Sequence, residues 1–198
     1  MTDVADAAAA VRDGDLVVFP TETVYGLGAD ALDPAAVERV FEAKERSRDK
    51  PISLAVPDVD AAVEHTEPTE REERFMRAFL PGPVTVVVER GPDVPDVLTA
   101  GREQVGVRVP DHDVALDLLA AAGTPITATS ANVSGNPSAT RVDELDERIR
   151  ERAAAVVDDG ETEGGTGSTV VDVEAGELLR EGAVADEVRA WLAEQPQS

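Results

Sequence analysis

Short aliphatic runs alternate with capped helical segments along this chain, and that alternation constrains the fold more than any other feature of the sequence. The helical segments begin at capping residues, such as Asp33 before Pro34 and Thr69 with Glu72 three residues on. The aliphatic runs predict strands at 16–19, 52–56, 85–89, 105–109, 155–157, 169–173 and 178–179, with another through Ile126. The alternation predicts an α/β layered fold around a largely buried sheet, part of which can be antiparallel.

Each helix is predicted to start at a cap and to carry its apolar residues on one face. The capping residues are Asp3, Asp33, Thr69, Asp111 and Thr140. A terminal helix is predicted at 185–192, and the glycine-rich segment 160–167 is expected to be a mobile turn or loop. Because no internal repeat or long linker divides the sequence, residues 1–198 are predicted to form a single domain.

The composition excludes several classes of protein. The chain has no cysteine, so disulfides and thiolate chemistry are excluded. Its apolar runs are far shorter than the roughly 20 residues of a membrane span, and the N-terminus lacks the charged and apolar regions of a secretory signal. With four Phe, one Tyr and one Trp, the core must be aliphatic. We therefore expect a cytoplasmic protein without membrane contact.

The chain is strongly acidic, with 41 Asp and Glu residues against 18 Lys and Arg residues and a formal net charge of −23. A uniform charge of this size would repel nucleic acid at low salt. Alternatively, it suits a very salty cytoplasm, where the Debye length falls to about 3 Å at 1 M salt. The near-total loss of Lys with Arg retained favours this halophilic interpretation, although a GC-rich codon bias would also replace Lys by Arg. In both cases the local positions of Lys and Arg indicate the type of ligand better than the net charge of the chain does.

A cationic segment interrupts this acidic background. The chain's two lysines, Lys44 and Lys50, lie six residues apart with Arg46 and Arg48 between them. A bound polyanion would explain the cluster, whereas a solvated helix end that compensates the helix dipole is the alternative. Lys44 follows Val37 by seven residues, so it lies on the apolar stripe and is directed toward the core or a cleft beside it.

Hydroxyl and glycine residues follow several predicted strands and form candidate binding loops. The segments are 20–28, 127–132 and 168–169, and each of them is also compatible with an ordinary turn or helix cap. Arg108 lies in a valine strand beside Gly106, on the opposite face from the valines. Arg108 is either a buried ion-pair partner or a residue that binds a ligand carboxylate or phosphate through two parallel hydrogen bonds. The second interpretation is favoured because the hydroxyl loops supply no carboxylate that would compete with the ligand.

Several common catalytic motifs are absent from the sequence. There is no Walker A loop, no G-x-G-x-x-G and no G-x-S-x-G around Ser130. His65 and His112 lack Cys or His partners at metal-binding spacing, so a zinc site is not expected. The remaining cations and hydroxyls suit the binding and positioning of an anionic nucleotide together with a small carboxylate.

Several motifs in a fixed order give the chain a resemblance to a known family. In sequence order they are PTETVYGLG, KERSRDKP, PGPVT, VGVRVP, TSANVSGNPS and GSTVVD followed by LLREG. From about residue 10 to residue 185 the chain resembles the YrdC-type threonylcarbamoyl-AMP synthase family, in its short form with one domain. The resemblance implies a twisted mixed β-sheet flanked by helices, with a deep concave site. It also implies a nucleotidyltransferase that makes L-threonylcarbamoyladenylate from L-threonine, bicarbonate or CO2 and ATP, and releases pyrophosphate.

The resemblance also implies roles for individual residues. Thr23, Arg108 and Ser168 would hold threonine, with Arg108 on its carboxylate. The residues that would contact ATP are Lys44, Arg46, Lys50, Ser130, Asn132, Ser138 and Arg180. Mg²⁺ would accompany the ATP phosphates without protein ligands, no general base is assigned, and the product would pass to the machinery that modifies tRNA. Ser47 and Ser53 depart from the family pattern, which has a proline and a bulky apolar residue there.

Two alternative functions remain compatible with the residues. One is a binding module that holds tRNA or another RNA without chemistry, which the four clustered cations and scarce aromatic residues support only weakly. The other is a carbamoyl-transfer domain of the kind used in hydrogenase maturation, which shares the implied fold. Those domains usually lie in much longer chains with zinc-finger and acylphosphatase segments.

Overall fold

A computed structural model describes residues 2–195, which form one nine-stranded mixed sheet with helices packed on both faces. The strands are β1 (Leu16–Phe19), β2 (Gly26–Gly28), β3 (Ser53–Ala55), β4 (Val84–Glu89), β5 (Gln104–Arg108), β6 (Ile126–Ser130), β7 (Ala153–Val156), β8 (Thr169–Asp172) and β9 (Glu177–Arg180). The helices are α1 (Val4–Arg12), α2 (Pro34–Lys44), α3 (Val59–His65), α4 (Glu70–Phe79), α5 (Asp96–Thr99), α6 (Asp113–Ala122), α7 (Glu147–Arg152) and α8 (Ala185–Glu194), with a 3-10 turn at Val142–Glu144.

The strand order across the sheet is β7-β1-β2-β6-β3-β5-β4-β8-β9. The pairs β1–β7, β3–β5 and β4–β8 are parallel, and the other neighbours are antiparallel. The prediction of a mixed sheet flanked by helices is therefore confirmed. No helix in the described residues has the length and apolar composition that crossing a membrane requires.

One face of the sheet is covered along most of its width. Six helices, α2, α3, α4, α5, α7 and α8, contribute to a single aliphatic core with this face. The valines of β5, Val105 and Val107, point into that core together with Val86 and Val88 of β4. Because strand side chains alternate, the residues between these valines point to the opposite face.

The opposite face is divided into two parts, which we name the covered half and the open half. In the covered half, α1 and α6 pack on the strands at the β7-β1-β2-β6 end, where Val17 and Ile126 are fully buried. The open half comprises β3, β5, β4, β8 and β9 on the same face. The helices α1 and α6 contribute side chains such as Val11, Leu118 and Leu119 to the covered half, and a cavity lies over the open half.

Strand β2 was part of a predicted loop, and its two glycines explain both the strand and the missed prediction. Gly26 pairs with Phe19 across the antiparallel ladder, and the Phe19 ring occupies the space where a side chain would lie. A Cβ added at Gly28 would approach Ile126 Cγ2 to 2.4 Å and the Phe19 ring to 2.9 Å. The glycines therefore let a large ring pack directly on the strand backbone, and a hydrophobicity pattern cannot reveal such a strand.

Four further sequence predictions are corrected by the structure. Residue His112, rather than Asp111, immediately precedes α6, and that helix start has no side-chain cap. Thr140 does not begin a helix, because its N–H and hydroxyl both donate to Glu144 at the 3-10 turn and α7 begins only at Glu147. Residues 127–130, predicted as part of a loop, belong to β6. Helices α3 and α5 were not predicted from the sequence.

Candidate active site

A cavity of about 480 Å³ lies over the open half, a volume typical of sites for small ligands. Its floor is made of small side chains from four adjacent strands: Ala128 of β6, Ser53 and Ala55 of β3, Gly106 of β5 and Thr85 of β4. These residues add little volume above the backbone. The sheet surface is therefore accessible to a ligand here, whereas α1 and α6 cover it elsewhere.

Gly106 allows the strands around it to pack tightly beneath the cavity. A Cβ at this position would lie 2.4 Å from Ser53 Oγ and 2.9 Å from Thr85 Cγ2. Ser53 also departs from the bulky residue that the family resemblance leads us to expect there. A small residue at both positions keeps the centre of the floor low, because neither side chain rises into the cavity.

Arg108, at the end of β5, is held by the loop that follows β1. Its Nη2 donates to Glu22 Oε1 at 2.8 Å and to Thr23 Oγ1 at 2.7 Å, with Thr21 Oγ1 at 3.5 Å. The Arg108 and Glu22 side chains are 12% and 15% exposed, so the ion pair is largely shielded from water. The expectation that no carboxylate competes for Arg108 is wrong, because Glu22 of the same hydroxyl loop supplies one.

The loop from β1 is itself fixed by hydrogen bonds on both sides. Thr21 Oγ1 donates to the Val24 carbonyl at 2.7 Å and lies 3.0 Å from Thr23 Oγ1. The Thr23 carbonyl accepts from Thr162 Oγ1 at 3.0 Å and from the Gly165 N–H at 2.7 Å. The glycine-rich segment 160–167 therefore lies against the Arg108 site, and Gly167 lines the cavity.

Arg180, at the end of β9, forms a second cationic position. Its Nε donates to the Ser168 carbonyl and its Nη2 to Ser168 Oγ, both at 2.9 Å. Ser168 Oγ also lies 2.8 Å from Thr85 Oγ1. Within residues 2–195 Arg180 has no carboxylate partner within 4 Å, which distinguishes it from Arg108.

Arg46, in the segment between α2 and β3, supplies another guanidinium of the cavity, which Arg102 also lines. Its Nε donates to the Lys50 carbonyl at 3.0 Å and its Nη2 to the Pro51 carbonyl at 2.9 Å. These bonds fold the segment into a turn that presents Arg46 to the cavity. Lys50 is exposed and is not among the residues that line the cavity, so its contact with ATP remains a prediction.

The positive charges of Arg108 and Arg46 act on Arg180. Burial lowers the pKa of Arg180, and the nearby charges of Arg108 and then Arg46 lower it further. Burial also lowers the pKa of Arg46. Among the described residues that line the cavity, Glu181 is the one acidic side chain. The cavity is thus positive within a protein of strongly negative net charge, and such a site attracts anionic ligands.

Lys44 is directed into the protein, as its place on the apolar stripe predicted. Its side chain is buried, and Nζ donates to the Ser130 carbonyl, to the Asn132 carbonyl at 2.7 Å and to Asn132 Oδ1 at 3.5 Å. Burial lowers its pKa to about 8, with a further contribution from Arg46. In this structure Lys44 anchors the end of β6, and its predicted contact with ATP phosphates remains untested.

The predicted nucleotide-binding residues after β6 occupy different positions. Ser130 and Ser138 line the cavity, whereas Asn132 does not. Asn132 Nδ2 donates to the Val133 carbonyl at 2.9 Å and to the Asn136 carbonyl at 2.8 Å. Its amide therefore shapes the loop between the two serines, and Ser130 Oγ donates to Asn132 Oδ1.

The sequence predicted no individual role for three residues of this site, Glu22, Thr21 and Thr85, although the first two lie in the candidate binding loop 20–28. Glu22 and Thr21 stand beside Thr23 in the first motif, so their position in the loop was visible but their partner on β5 was not. Thr85 was assigned only to an apolar strand. Its orientation toward the cavity could have been inferred, because it alternates with Val84 and Val86, which face the core.

Comparison with known proteins identifies close relatives of the chain. A family model for Sua5, YciO and YrdC proteins, described as "Telomere recombination", matches residues 9–182. The threonylcarbamoyl-AMP synthase of Pyrococcus abyssi is 44% identical over 168 residues, covering 84% of this chain and 49% of that protein. The threonylcarbamoyl-AMP synthase of Bacillus subtilis is 40% identical over 188 residues, covering 93% of this chain and 54% of that protein.

A solved structure agrees with these sequence relationships. The crystal structure of P. abyssi Sua5 complexed with L-threonine superposes with a TM-score of 0.85 at 43% identity, covering 90% of this chain and 54% of that chain. The present chain thus spans about half the length of these two threonylcarbamoyl-AMP synthases.

Proposed function

This chain belongs to the family of Sua5, YciO and YrdC domains, and on that premise we propose that it is an L-threonylcarbamoyladenylate synthase. The proposed substrates are L-threonine, bicarbonate or CO2, and ATP, and the second product is pyrophosphate. The names of the P. abyssi and B. subtilis relatives support this proposal, as does the L-threonine in the P. abyssi structure.

The observation that carries the proposal is the pairing of two different arginine environments in one cavity. Arg108 lies among hydroxyls and one carboxylate on β5, an environment suited to one end of an amino acid. Arg180 lies on β9, and strands β4 and β8 separate β9 from β5. The backbones of the strands that carry Arg108 and Arg180 are therefore three strand spacings, or roughly 14 Å, apart. Arg46 and Arg180 have no carboxylate partner among the described residues and suit phosphate groups.

The residues act on the proposed reaction by binding and positioning. Nη1 of Arg108 makes no hydrogen bond to residues 2–195 and is available to the threonine carboxylate, while Nη2 is held by Glu22 and Thr23. The threonine amine, after losing a proton, attacks the carbon of CO2 and releases a second proton to water to give a carbamate. With bicarbonate the same carbon–nitrogen bond forms as a water molecule leaves. A carbamate oxygen then attacks the α-phosphorus of ATP as the bond to pyrophosphate breaks. Arg46 and Arg180 stabilise the negative charge that moves onto the leaving group.

Mg²⁺ is proposed to enter with ATP. Within the described part of the chain no three His, Asp or Glu side chains converge to form a metal site. The cavity instead offers hydroxyls such as Ser130 and the single carboxylate of Glu181. This donor set fits a Mg²⁺ ion held mainly by phosphate oxygens and water, which when bound would neutralise phosphate charge.

RNA binding without chemistry is a weaker explanation of the same cations. The arginines converge on a cavity above the sheet, whereas a site for single-stranded RNA needs an extended cationic groove with stacking aromatic residues. The one aromatic residue lining the cavity is Phe19, among the residues described. We therefore propose that the link to tRNA lies downstream, in a transferase system that uses the adenylate product.

The proposal is tested by pyrophosphate release from ATP in molar KCl with Mg²⁺ and bicarbonate, with and without L-threonine. Release that depends on both threonine and bicarbonate is expected, with threonylcarbamoyladenylate identified by mass spectrometry. L-Serine and L-valine serve as matched amino acids that lack the methyl group or the hydroxyl. A folded protein that binds ATP but releases no pyrophosphate with threonine would contradict the proposal.

A further inference from the structure

Glu22 is a shielded carboxylate beside Arg108, at the edge of the cavity and not among the residues that line it, and the proposed reaction has so far given it no role. It contacts Arg108 through Oε1 at 2.8 Å, while Oε2 is buried and has no hydrogen-bond partner in the described residues. Nε of Arg108 is likewise buried without a partner. A carboxylate that served only to satisfy the guanidinium would be expected to use both oxygens in a bidentate pair.

The charge at this position differs from that at Arg46 and Arg180. Arg46 donates to the carbonyls of Lys50 and Pro51, and Arg180 donates to Ser168, so within the described residues neither guanidinium donates to a carboxylate. Arg108 and Glu22 together carry no net charge. Since Arg46, Arg102 and Arg180 line the same cavity as Arg108, a polyphosphate would be drawn to all of them if Glu22 were neutral.

The net charge of the pair also discriminates between carboxylates. A simple monocarboxylate bound to Arg108 would leave the group of Arg108, Glu22 and ligand with one negative charge, which only the more distant guanidiniums compensate, and this costs free energy relative to a neutral group. An amino acid brings its own ammonium group, so the complex of Arg108, Glu22 and ligand stays neutral. The unpaired carboxylate oxygen of Glu22 adds a negative potential that favours that ammonium.

We propose that Glu22 reserves Arg108 for a zwitterionic amino acid and keeps phosphate groups and simple monoanions away from it. Glu22 is thus a specificity-determining residue that divides one cationic cavity into an amino-acid part and a phosphate part. The inference rests on the proposed function, because it concerns the threonine part of the same site. It requires no covalent step and acts on binding alone.

The test is isothermal titration of the full chain, without ATP, with L-threonine and with its deaminated isostere 2,3-dihydroxybutanoate of matching stereochemistry. Because one charge is compensated in the threonine complex alone, the wild-type chain should prefer threonine by about tenfold or more. Glu22→Gln should reduce that preference to roughly threefold or less. In the Glu22→Gln variant, pyrophosphate should also compete with threonine, whereas wild-type binding of threonine should resist it.

Two further variants separate charge from structure. Glu22→Asp keeps the charge and should retain the preference, even if a shorter side chain weakens binding of both ligands. Glu73→Gln serves as the control, because it removes a carboxylate from another ion pair, in which Glu73 lies 2.7 Å from Arg77. This ion pair is on helix α4, which packs against the other face of the sheet. This control should leave the preference unchanged, and circular dichroism of each variant verifies that it is folded.

The possible outcomes are distinguishable. Threonine binding that is unchanged in a folded Glu22→Gln variant, with the preference intact, would overturn the inference. If the Glu22→Gln variant does not fold, titration of the wild-type chain still tests the inference. Equal affinity of the wild-type chain for threonine and for 2,3-dihydroxybutanoate would rule out selection by charge. A wild-type chain that binds neither compound contradicts the proposed substrate, whereas binding without preference contradicts the role of Glu22 alone.

Discussion

The covered half and the open half share one face of one sheet, yet they differ in the side chains that the strands present. In the covered half, Val17 and Ile126 are buried under the apolar side chains of α1 and α6. In the open half, Ser53, Thr85 and Gly106 form the floor of a cavity that four arginines also line. The sheet backbone continues through both halves with the same ladder of hydrogen bonds.

The difference shows how one sheet supports stability and binding in separate places. Bulky aliphatic residues in the covered half bury apolar area and stabilise the fold by about 25 cal/mol per Å² removed from water. Small hydroxylated residues in the open half bury little but leave space and hydrogen-bonding groups for a ligand. Substitutions of apolar residues in the covered half should therefore affect mainly folding, and substitutions of cavity residues in the open half should affect mainly binding, except where they leave a buried charge without its partner.

The largest effect is expected in the open half, from Arg108→Ala. Loss of the guanidinium removes the proposed carboxylate contact and should lower kcat/KM for threonine by roughly 100- to 1000-fold. Threonine-dependent pyrophosphate release measures this effect. The variant also leaves Glu22 buried without its partner, so the unfolding midpoint should fall as well. A kcat/KM within threefold of the wild-type value would remove Arg108 from the site.

The matching change in the covered half is Leu118→Ala in α6, whose side chain is fully buried. A cavity at this position should cost about 2–5 kcal/mol in the free energy of unfolding. Since Leu118 is not among the residues that line the cavity, the KM values should change little. Urea denaturation measures the loss.

A reciprocal control for Leu118 lies on β9 in the open half. The side chain of Leu179 is 57% exposed and lines the cavity. Leu179→Ala should therefore leave the free energy of unfolding within about 0.5 kcal/mol of the wild-type value while altering the KM for a substrate. If both leucine variants changed stability and KM together, the division into two halves would fail.

A smaller effect separates two cations of the same segment. Arg46→Ala should raise the KM for ATP about 10- to 30-fold, because this side chain lines the cavity. Lys50→Ala should raise it about threefold or less, since an exposed ammonium is well screened. Steady-state kinetics with varied ATP give both values. The reverse ranking would place the phosphates outside the cavity, along the exposed segment.

The last effect concerns Lys44 of α2, whose ammonium group contacts carbonyls at and after the end of β6. Its folded-state pKa of about 8 lies below the ordinary value of 10.5, so above pH 8 the unfolded chain binds more protons than the folded one. The free energy of unfolding should therefore rise with pH in this window, by about 1.5 kcal/mol between pH 8 and 9.5. The rise should be absent in Lys44→Met and present in Lys50→Met.

Urea denaturation at the two pH values measures the effect of Lys44. The pH range of this measurement stays below 10 because of Tyr25, whose pKa burial raises to about 12. Deprotonation of Tyr25 in the unfolded chain therefore lowers the free energy of unfolding only above its ordinary pKa of 10.0. Equal pH dependence in Lys44→Met and the wild-type chain would show that Lys44 keeps its ordinary pKa.

The sequence predicted most strands and helices because their side-chain patterns are local. The helix after Asp33, for example, begins at Pro34 and ends at Lys44, with its apolar stripe buried as expected. Strand β2 was missed because its glycines carry no pattern, and their ladder with Phe19 becomes visible only when the strands pair. The helix expected at Thr140 was wrong because Glu144 takes both donors of that residue.

The amino-acid sequence by itself determined the alternating α/β order, the aliphatic core and the residue types of the site, including Arg108 and the cationic segment at Lys44. Tertiary structure alone decided which partners those residues meet. It placed Glu22 against Arg108, which lies 86 positions further along the chain, and it buried Lys44 among the carbonyls after β6. The physical reason is that side-chain periodicity is a local property, whereas charge pairing across the sheet depends on strand order and register.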